Sequence, residues 1–243
     1  MSFVVKAFSM SIAESVARVR ERIEAAARRA GRRSEDVALM AVSKTFPAER
    51  IREAYDAGLR LFGENRVQEF TRKRDSLRNL TDIEWHLIGH LQTNKAPKAV
   101  ELFGAVDSVD SLRLAQKLNA SAQQLGKKIK VLIEINVGGE AAKSGVAPDS
   151  RELDQLLLAA HELRHLEFRG LMAVPPFTED PHQARPYFRK LRELRDQIAA
   201  RRFAAVNLDV LSMGMSHDFE VAIEEGSTCV RVGTAVFGER PGR

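Results

Sequence analysis

The spacing of apolar positions changes once along the chain, at Gly31. Before it, apolar residues such as Ile12, Val16 and Val19 recur every three or four positions, which predicts an amphipathic helix over about 11–30. Gly31 ends this pattern, because glycine readily adopts the left-handed conformation that closes many helices. Beyond it, short apolar runs rich in β-branched residues alternate with longer amphipathic stretches, which indicates alternating strands and helices.

Eight of the short runs have the length and composition of strands. They lie at 37–44, 60–63, 85–89, 105–109, 129–137, 168–174, 208–213 and 229–233. Helical patterns lie at about 47–58, 65–77, 93–102, 111–125, 150–164, 180–202 and 216–226. Strict alternation of strand and helix predicts parallel strands joined by right-handed crossovers. Eight such units predict an α/β fold, a single (β/α)8 barrel of the TIM type with an extra N-terminal helix, over residues 1–243.

An open doubly wound sheet is the alternative fold. Such a sheet typically carries a glycine-rich GxGxxG turn after its first strand, whereas the turn here reads SKTFP (43–47). No linker rich in proline, glycine or serine divides the chain, and only AVFGERPGR (235–243) follows the last predicted strand. One barrel domain is therefore the simpler prediction.

The amino-acid composition limits the classes of protein to which the chain can belong. The 243 residues are 44% hydrophobic and 29% charged, which is typical of a globular domain and not of a disordered chain. The single cysteine, Cys229, excludes an intramolecular disulfide. The chain has no secretory signal pattern and no apolar run long enough to span a bilayer. These features predict a cytoplasmic protein with no membrane partner.

The net charge of +5 has a local origin. The surplus lies mainly in Arg28, Arg29, Arg32 and Arg33, at the end of the first helix, and in the basic run 72–74. Cations at a helix C-terminus complement the helix dipole, so a solvated surface is favoured over a nucleic-acid footprint. No nucleic-acid partner is predicted.

Functional residues in barrels of this type lie at the carboxyl ends of the strands. The first predicted strand ends at Lys44, on the same face as Met40 and Val42. If that face points inward, the amine lies among apolar neighbours, which lowers its pKa and suits it to attack a carbonyl and form a Schiff base. The alternative is a lysine paired with a carboxylate such as that of Glu64.

The loops after the last two strands are rich in small and hydroxyl residues. Ser212, Gly214 and Ser216 fall in the first of these loops, and Gly233 and Thr234 in the second. Loops at these places in a barrel often bind phosphate through backbone N–H groups at a short helix. The alternative is ordinary turn and helix-capping chemistry without a ligand.

An amine opposite a phosphate site indicates a phosphorylated aldehyde, and pyridoxal 5′-phosphate (PLP) is the cofactor that needs both groups. Arg231, in the otherwise apolar eighth strand, is suitably placed to face the ring nitrogen of PLP. Its permanent charge would keep that nitrogen unprotonated and weaken the ring as an electron sink. The alternative is an arginine on the outer face, paired with a helix carboxylate. Met172, at the end of the sixth strand, completes the residues assigned to the pocket from the strand ends.

Other candidate side chains give weaker evidence of a functional site. His86 and His90 lie about 13 Å apart if they share one strand, too far for one metal ion. His161 and His165 have helical spacing but no third ligand nearby, so no metal site is predicted. Lys143 is a second amine on the predicted rim, and whether it binds a second PLP molecule stays open.

Eight segments together resemble one known family, the PLP homeostasis proteins, which include the bacterial YggS and human proline synthetase co-transcribed homologue proteins. The segments are AVSKTFP (41–47), LFGENRVQEF (61–70), WHLIGHLQTNK (85–95), VDS (106–108), INVGGEAAKSG (135–145), RGLMAVPP (169–176), LSMGMSHDFEVAIEEGST (211–228) and RVGTAVFGER (231–240). They follow in order over nearly the whole chain. The family resembles the N-terminal barrel of alanine racemase, a fold-type III PLP protein.

The resemblance implies roles for individual residues. It implies that Lys44 forms the internal aldimine with PLP and that Arg231 meets the ring nitrogen. It further implies that Asn65 and His86 line the cofactor pocket. It assigns the phosphate to four residues of the last two loops: Ser212, Ser216, Gly233 and Thr234.

The resemblance also implies a function. The protein would hold PLP and take part in intracellular PLP and amino-acid homeostasis without catalytic turnover, with PLP-requiring apo-enzymes as possible recipients. One alternative is an amino-acid racemase, which needs two bases on opposite faces of its intermediate. Alanine racemase takes its second base, a tyrosine, from another domain, and Tyr55 and Tyr187 lie in predicted helices away from the rim. Absence of that domain predicts a monomer. A further alternative is a barrel that uses Lys44 for aldol chemistry on sugar phosphates.

Overall fold

Eight strands alternate with helices in the computed structural model, which describes residues 10–140 and 143–239. The strands are β1 (Ala38–Val42), β2 (Leu61–Glu64), β3 (Glu84–Leu87), β4 (Ala105–Val109), β5 (Ile129–Glu134), β6 (Leu166–Met172), β7 (Val206–Met215) and β8 (Cys229–Val232). The helices are α1 (Ile12–Arg29), α2 (Ala48–Asp56), α3 (Val67–Leu77), α4 (Ala96–Leu102), α5 (Leu112–Gln124), α6 (Arg151–Ala159), α7 (Arg185–Arg201), α8 (Phe219–Glu224) and α9 (Thr234–Phe237). Within the described ranges, no helix combines the length and apolar character that a membrane crossing requires.

The strands form a closed barrel. Each strand pairs in parallel with the next one along the chain, and β8 returns to pair with β1 from Ala38↔Cys229 to Ala41↔Val232. This closure confirms the predicted (β/α)8 barrel and excludes the open doubly wound sheet. The ends of the predicted 1–243 domain lie outside the described residues, so those domain limits stay a prediction.

Helix α1 covers one side of the barrel. Ser11 and Glu14 form a capping box at its start, and its apolar face packs with the residues of α8 and α9 in one buried cluster. Arg29 forms an ion pair with Glu224 at 2.8 Å, and Arg32 donates to the carbonyl oxygen of Ile223 at the end of α8. Part of the basic surplus therefore joins α1 to α8, instead of only facing solvent.

Side chains alternate between the barrel interior and the layer under the helices. In β8, Val230 and Val232 pack in the outer layer, and Arg231 between them points inward, in register with Met40 of β1. The barrel interior therefore contains polar and charged side chains as well as apolar ones. The polar and charged side chains continue to the carboxyl ends of the strands.

Candidate functional site

A cavity of about 500 Å³, termed the upper cavity, opens at the carboxyl ends of the strands. Every strand except β4 contributes to it, either directly or through the loop that follows. Its lining residues are Val42, Lys44, Asn65, Ile88, Gly89, His90, Glu134, Lys143, Ser144, Val174, Phe177, Met215, Ser216, His217, Arg231, Gly233 and Thr234. Six predicted site residues therefore meet in one cavity, namely Lys44, Asn65, Ser216, Arg231, Gly233 and Thr234.

Lys44 lies in a turn and not in a strand. Strand β1 ends at Val42, and the N–H of Phe46 donates to the carbonyl oxygen of Ser43 to close the turn. Thr45 has φ +70°, an uncommon conformation for a β-branched residue, and its N–H donates to the carboxylate of Glu69. The predicted strand 37–44 therefore ran two residues too far at its carboxyl end and one at its amino end. The turn still brings Lys44 to the cavity wall beside Val42, where its side chain is half-buried.

A buried ion pair supports this turn. The Glu64 carboxylate is fully buried, accepts from Ser43 Oγ at 2.6 Å and lies 2.7 Å from Lys73 Nζ. Lys73 Nζ also donates to the carbonyl oxygens of Ser43 and Phe46, at 3.0 and 3.3 Å. Lys73 thus joins both ends of the turn that carries Lys44.

The prediction that Lys73 belongs to a solvated basic run was wrong. Its side chain is only 10% exposed, because α3 turns it toward β1 and β2. The one sequence signal that could have indicated this is the spacing of four residues from Glu69, with which Lys73 also pairs on α3.

Arg231 is buried at the base of the cavity. It is 4% exposed, and its guanidinium donates to Ser212 Oγ at 2.7 Å and to the carbonyl oxygen of Ala173 at 2.9 Å. Burial lowers the pKa of Arg231, but guanidinium is basic enough to stay charged at neutral pH. The alternative of an outward arginine paired with a helix carboxylate was wrong. The charge is held inside the barrel by neutral acceptors, so it can face a ligand.

The loops after β7 and β8 lie against each other. Ser216 Oγ accepts from the N–H groups of Gly233 and Ala235, at 3.1 and 3.3 Å, where α9 begins. Thr234 lines the cavity beside them. Backbone N–H groups and two hydroxyls therefore converge at one end of the cavity, an arrangement that suits an anion.

Three other predicted residues do not line the cavity. Ser212 is fully buried below it and holds Arg231, so it is not at the anion end. Met172 is fully buried on the inner face of β6, among residues that form the interior. Gly214 has φ +92°, and a Cβ there would lie 2.6 Å from that of Ala222, so this glycine serves the packing of β7 on α8. Ser212 and Met172 were assigned too close to the carboxyl ends of the strands, because strand alternation does not reveal depth, whereas Gly214 faces α8 and not the cavity.

Asn65 is brought to the cavity by a close approach of two loops. A Cβ on Gly89 would lie 2.6 Å from Asn65 Oδ1, so only glycine lets the end of β3 come this close. The N-cap residue of α3 is Arg66 and not Asn65. The Asn65 side chain is therefore available to the cavity.

Glu134, the last residue of β5, was missed by the sequence analysis. It lines the cavity, is 9% exposed, and its Oε2 has no hydrogen-bond partner among the described residues. Burial, with some help from Asp110, raises the pKa of Glu134 to about 7, although Arg231 and His90 oppose this. The signal that could have found it is a single carboxyl in the otherwise apolar run VLIEI (131–135).

His86 was wrongly assigned to this cavity. It lies in a separate small cavity that also contains residues from the amino ends of the strands, such as Ala38 and Leu61. Its Nδ1 is 2.9 Å from the buried Asp107, and its Nε2 is 3.3 Å from Glu84. Burial opposes the charge, but Asp107 and Glu84 raise the pKa of His86 to about 9. His86 therefore contributes an ion pair to the barrel and does not line the upper cavity.

This ion pair predicts a pH-dependent stability. Because the folded-state pKa of His86 is raised above the ordinary 6.5, its contribution is complete below about pH 6.5 and is lost as pH rises toward 9. We expect the free energy of unfolding to fall by up to about 3 kcal/mol across this interval. Urea unfolding at both ends of the interval measures it. In Asp107→Asn most of this pH dependence should disappear, and an unchanged dependence would contradict the assignment.

Two further side chains of the cavity, a lysine and a histidine, are paired with carboxylates. Lys143 lines the cavity and pairs with Glu140 at 2.8 Å, and His90 pairs with Asp110 at 3.1 Å. In the part of the chain that the structure describes, no three histidine, cysteine, aspartate or glutamate side chains could hold a metal ion together. The amine of Lys44, the guanidinium of Arg231 and the hydroxyls of Ser216 and Thr234 suit an organic anion with a carbonyl group.

Comparison with known protein sequences identifies the family of this chain. The chain matches the family model for the alanine racemase N-terminal domain over residues 15–241. It is 50% identical over 231 residues to the pyridoxal phosphate homeostasis protein of Aquifex aeolicus, covering 95% of this chain and 99% of that protein. The protein of the same name from Pseudomonas aeruginosa is 46% identical over 230 residues, covering 95% and 96%.

Solved structures show the same architecture. PipY of Synechococcus elongatus with PLP bound superposes with a TM-score of 0.80 and 39% identity, covering 93% of this chain and all of PipY. Alanine racemase of Clostridium difficile superposes with a TM-score of 0.70, covering 96% of this chain and 57% of the racemase, but at 17% identity it shares the fold alone. The chain therefore belongs to the alanine racemase N-terminal domain family and, within it, to the pyridoxal phosphate homeostasis proteins.

Proposed function

We propose that this protein binds PLP in the upper cavity and holds it through a covalent bond between Lys44 Nζ and the aldehyde carbon. The observation that carries this proposal is the meeting of Lys44, the charged Arg231 and the two anion-binding loops in one cavity. Bound PLP would supply an electrophilic carbon and an electron-accepting ring. The names of the relatives support the same ligand.

The residues of the cavity fit each part of this ligand. The hydroxyls of Ser216 and Thr234 would hold the phosphate, joined by the N–H groups of Gly233 and Ala235 once the phosphate oxygens replace Ser216 Oγ as their acceptor. Arg231 would face the ring nitrogen, since its guanidinium has five N–H donors and Ser212 and Ala173 account for two hydrogen bonds. Asn65 would contact the ring or its substituents. The half-buried position of Lys44 would keep its bond to the aldehyde carbon partly shielded from water.

We further propose that the protein stores and releases PLP and does not turn over a substrate. Arg231 supports this, because a permanent cation opposite the ring nitrogen disfavours its protonation and so weakens the ring as an electron sink. Tyr55 and Tyr187 do not line the cavity, and the Tyr55 hydroxyl donates to Asp82 on the outside of the barrel. The proposal includes PLP-requiring apo-enzymes as the recipients of the released PLP. It also includes a monomeric state of the protein and a location in the cytoplasm.

One experiment tests both parts of the proposed function. Protein mixed with PLP and L-alanine in deuterated water should develop a visible absorbance band, while the alanine keeps its Cα proton and its configuration. Absence of any band would contradict the binding proposal. Rapid exchange of the Cα proton with change of configuration would contradict storage and favour the racemase alternative.

A further inference from the structure

We propose that Glu134 is the residue that receives the incoming amine when PLP leaves the protein, a proposal that rests on the function proposed above. It would bind the ammonium group of a small primary amine and take its proton, so that the amine can displace Lys44. The ligand class is therefore a primary amine, either a free amino acid or the side chain of a lysine in a recipient protein.

The barrel topology puts Glu134 and Lys44 on opposite sides of the cavity. Strand β5 is the fourth strand from β1 in either direction around the closed barrel. Glu134 ends β5 and Lys44 follows β1, and both line the same cavity. A ligand attached to Lys44 would therefore leave its other side open to a group that Glu134 holds.

Glu134 has an unused acceptor atom. The residue is 9% exposed and its Oε2 lies buried without a hydrogen-bond partner within the described ranges. A buried acceptor without a partner costs free energy, because its hydration is lost and nothing replaces it. An ammonium group that enters the cavity would satisfy this atom, because it carries three donors.

The charges around Glu134 keep it able to exchange a proton. The groups that face the cavity or act on Glu134 come from five other segments and from its own loop: Lys44, His90, Asp110, His217, Arg231 and Lys143. Burial first, and then Asp110, raise the pKa of Glu134 to about 7, while Arg231 and His90 lower it. A base with a pKa near the working pH is the most effective acceptor of a proton in such a step.

The exchange balances without another reactant. The ammonium group gives one proton to Glu134, and the neutral amine nitrogen bonds to the carbon that is joined to Lys44 Nζ. The bond from that carbon to Lys44 Nζ then breaks, as the incoming nitrogen gives up a proton to Nζ and forms the new double bond. Glu134 finally passes its proton to the Lys44 amine, which restores the carboxylate and the ammonium form of Lys44. Nothing is oxidised or reduced.

The test follows release from PLP-loaded protein by stopped-flow absorbance, with glycine or Nα-acetyl-lysine amide as the amine. In Glu134→Gln we expect release to be about 100-fold slower than in the unmodified protein. We also expect release from the unmodified protein to accelerate as pH rises through 7, and this acceleration to be absent in Glu134→Gln. Glu179→Gln is the matched control, because Glu179 is an exposed carboxylate on the neighbouring loop after β6, and it should release PLP at the normal rate.

The two amines separate the two sources of the ligand. A slowed reaction with glycine assigns the site to free amino acids, and one with Nα-acetyl-lysine amide assigns it to protein lysines. Equal rates and equal pH profiles in Glu134→Gln and the unmodified protein, with both amines, would overturn the proposal.

A second readout uses the protein without PLP. The carboxyl carbon of Glu134, assigned by ¹³C NMR as the signal lost in Glu134→Gln, should titrate near pH 7. Titration at the ordinary value near 4.5 would overturn the proposal. These outcomes are distinct from failure of the proposed function, in which Lys44 would not bind PLP at all.

Discussion

Replacing Lys44 with alanine is expected to abolish covalent attachment of PLP and to weaken its binding at least about 100-fold, or about 3 kcal/mol. The covalent bond needs a primary amine at the cavity wall, and Lys44 supplies one in the turn after β1. The loops around Ser216 and Thr234 are unchanged in this variant. Weak binding through the phosphate should therefore remain, whereas pyridoxal without the phosphate should not bind detectably.

The measurement is a titration with PLP, followed by the visible absorbance band and by equilibrium dialysis. Lys95→Ala is the matched control, because Lys95 lies in the segment after β3 and does not line the cavity. It should retain the band and the affinity. An affinity of Lys44→Ala equal to that of the unmodified protein would show that Lys44 is not the point of attachment.

Replacing Lys73 with methionine is expected to lower the free energy of unfolding by about 3–5 kcal/mol. The change leaves the Glu64 carboxylate fully buried with only the Ser43 hydroxyl as a hydrogen-bond donor. The turn at 43–46 also loses the donor that joins its two carbonyl oxygens. PLP should therefore bind more weakly than the loss of stability alone would cause, because Lys44 is no longer held in place.

Urea unfolding measures the stability, and PLP titration below the unfolding transition measures the second effect. Arg72→Met is the control, because Arg72 is an exposed neighbour on the same helix. Adding Glu64→Gln to Lys73→Met should recover part of the stability, since the unpaired buried charge is then removed. A Lys73→Met protein with normal stability and normal PLP affinity would contradict the conclusion that Lys73 holds the turn at 43–46 in place.

The fold was predictable because its pattern is local and repeated. Strand and helix alternate in nearly every segment of the chain, and the crossover rule allows few ways to arrange them. The special position of Arg231 was also recognisable from the sequence, because an arginine within an apolar strand of a barrel needs either a polar interior or a partner outside. The observed inward orientation follows from its outer neighbours, Val230 and Val232.

The missed features depend on distance along the barrel axis and on contacts between segments. His86 faces the small cavity that also contains Ala38 and Leu61, at the amino ends of β1 and β2, and the sequence does not reveal how far along the barrel axis a side chain lies. Ser212 and Met172 point inward as expected but lie below the cavity. The surroundings of Lys73 and Glu134 come from residues far away in the sequence, Ser43 and Arg231 among them, so the local signals at these two positions do not by themselves reveal those contacts.

The most direct test of the account is borohydride reduction of the PLP-treated protein, followed by peptide mass mapping. Reduction fixes the bond between PLP and the amine that carries it. The account predicts one reduced adduct on Lys44, together with loss of the visible band. An adduct on another lysine, or no adduct on a protein that stays colourless with PLP, would contradict it.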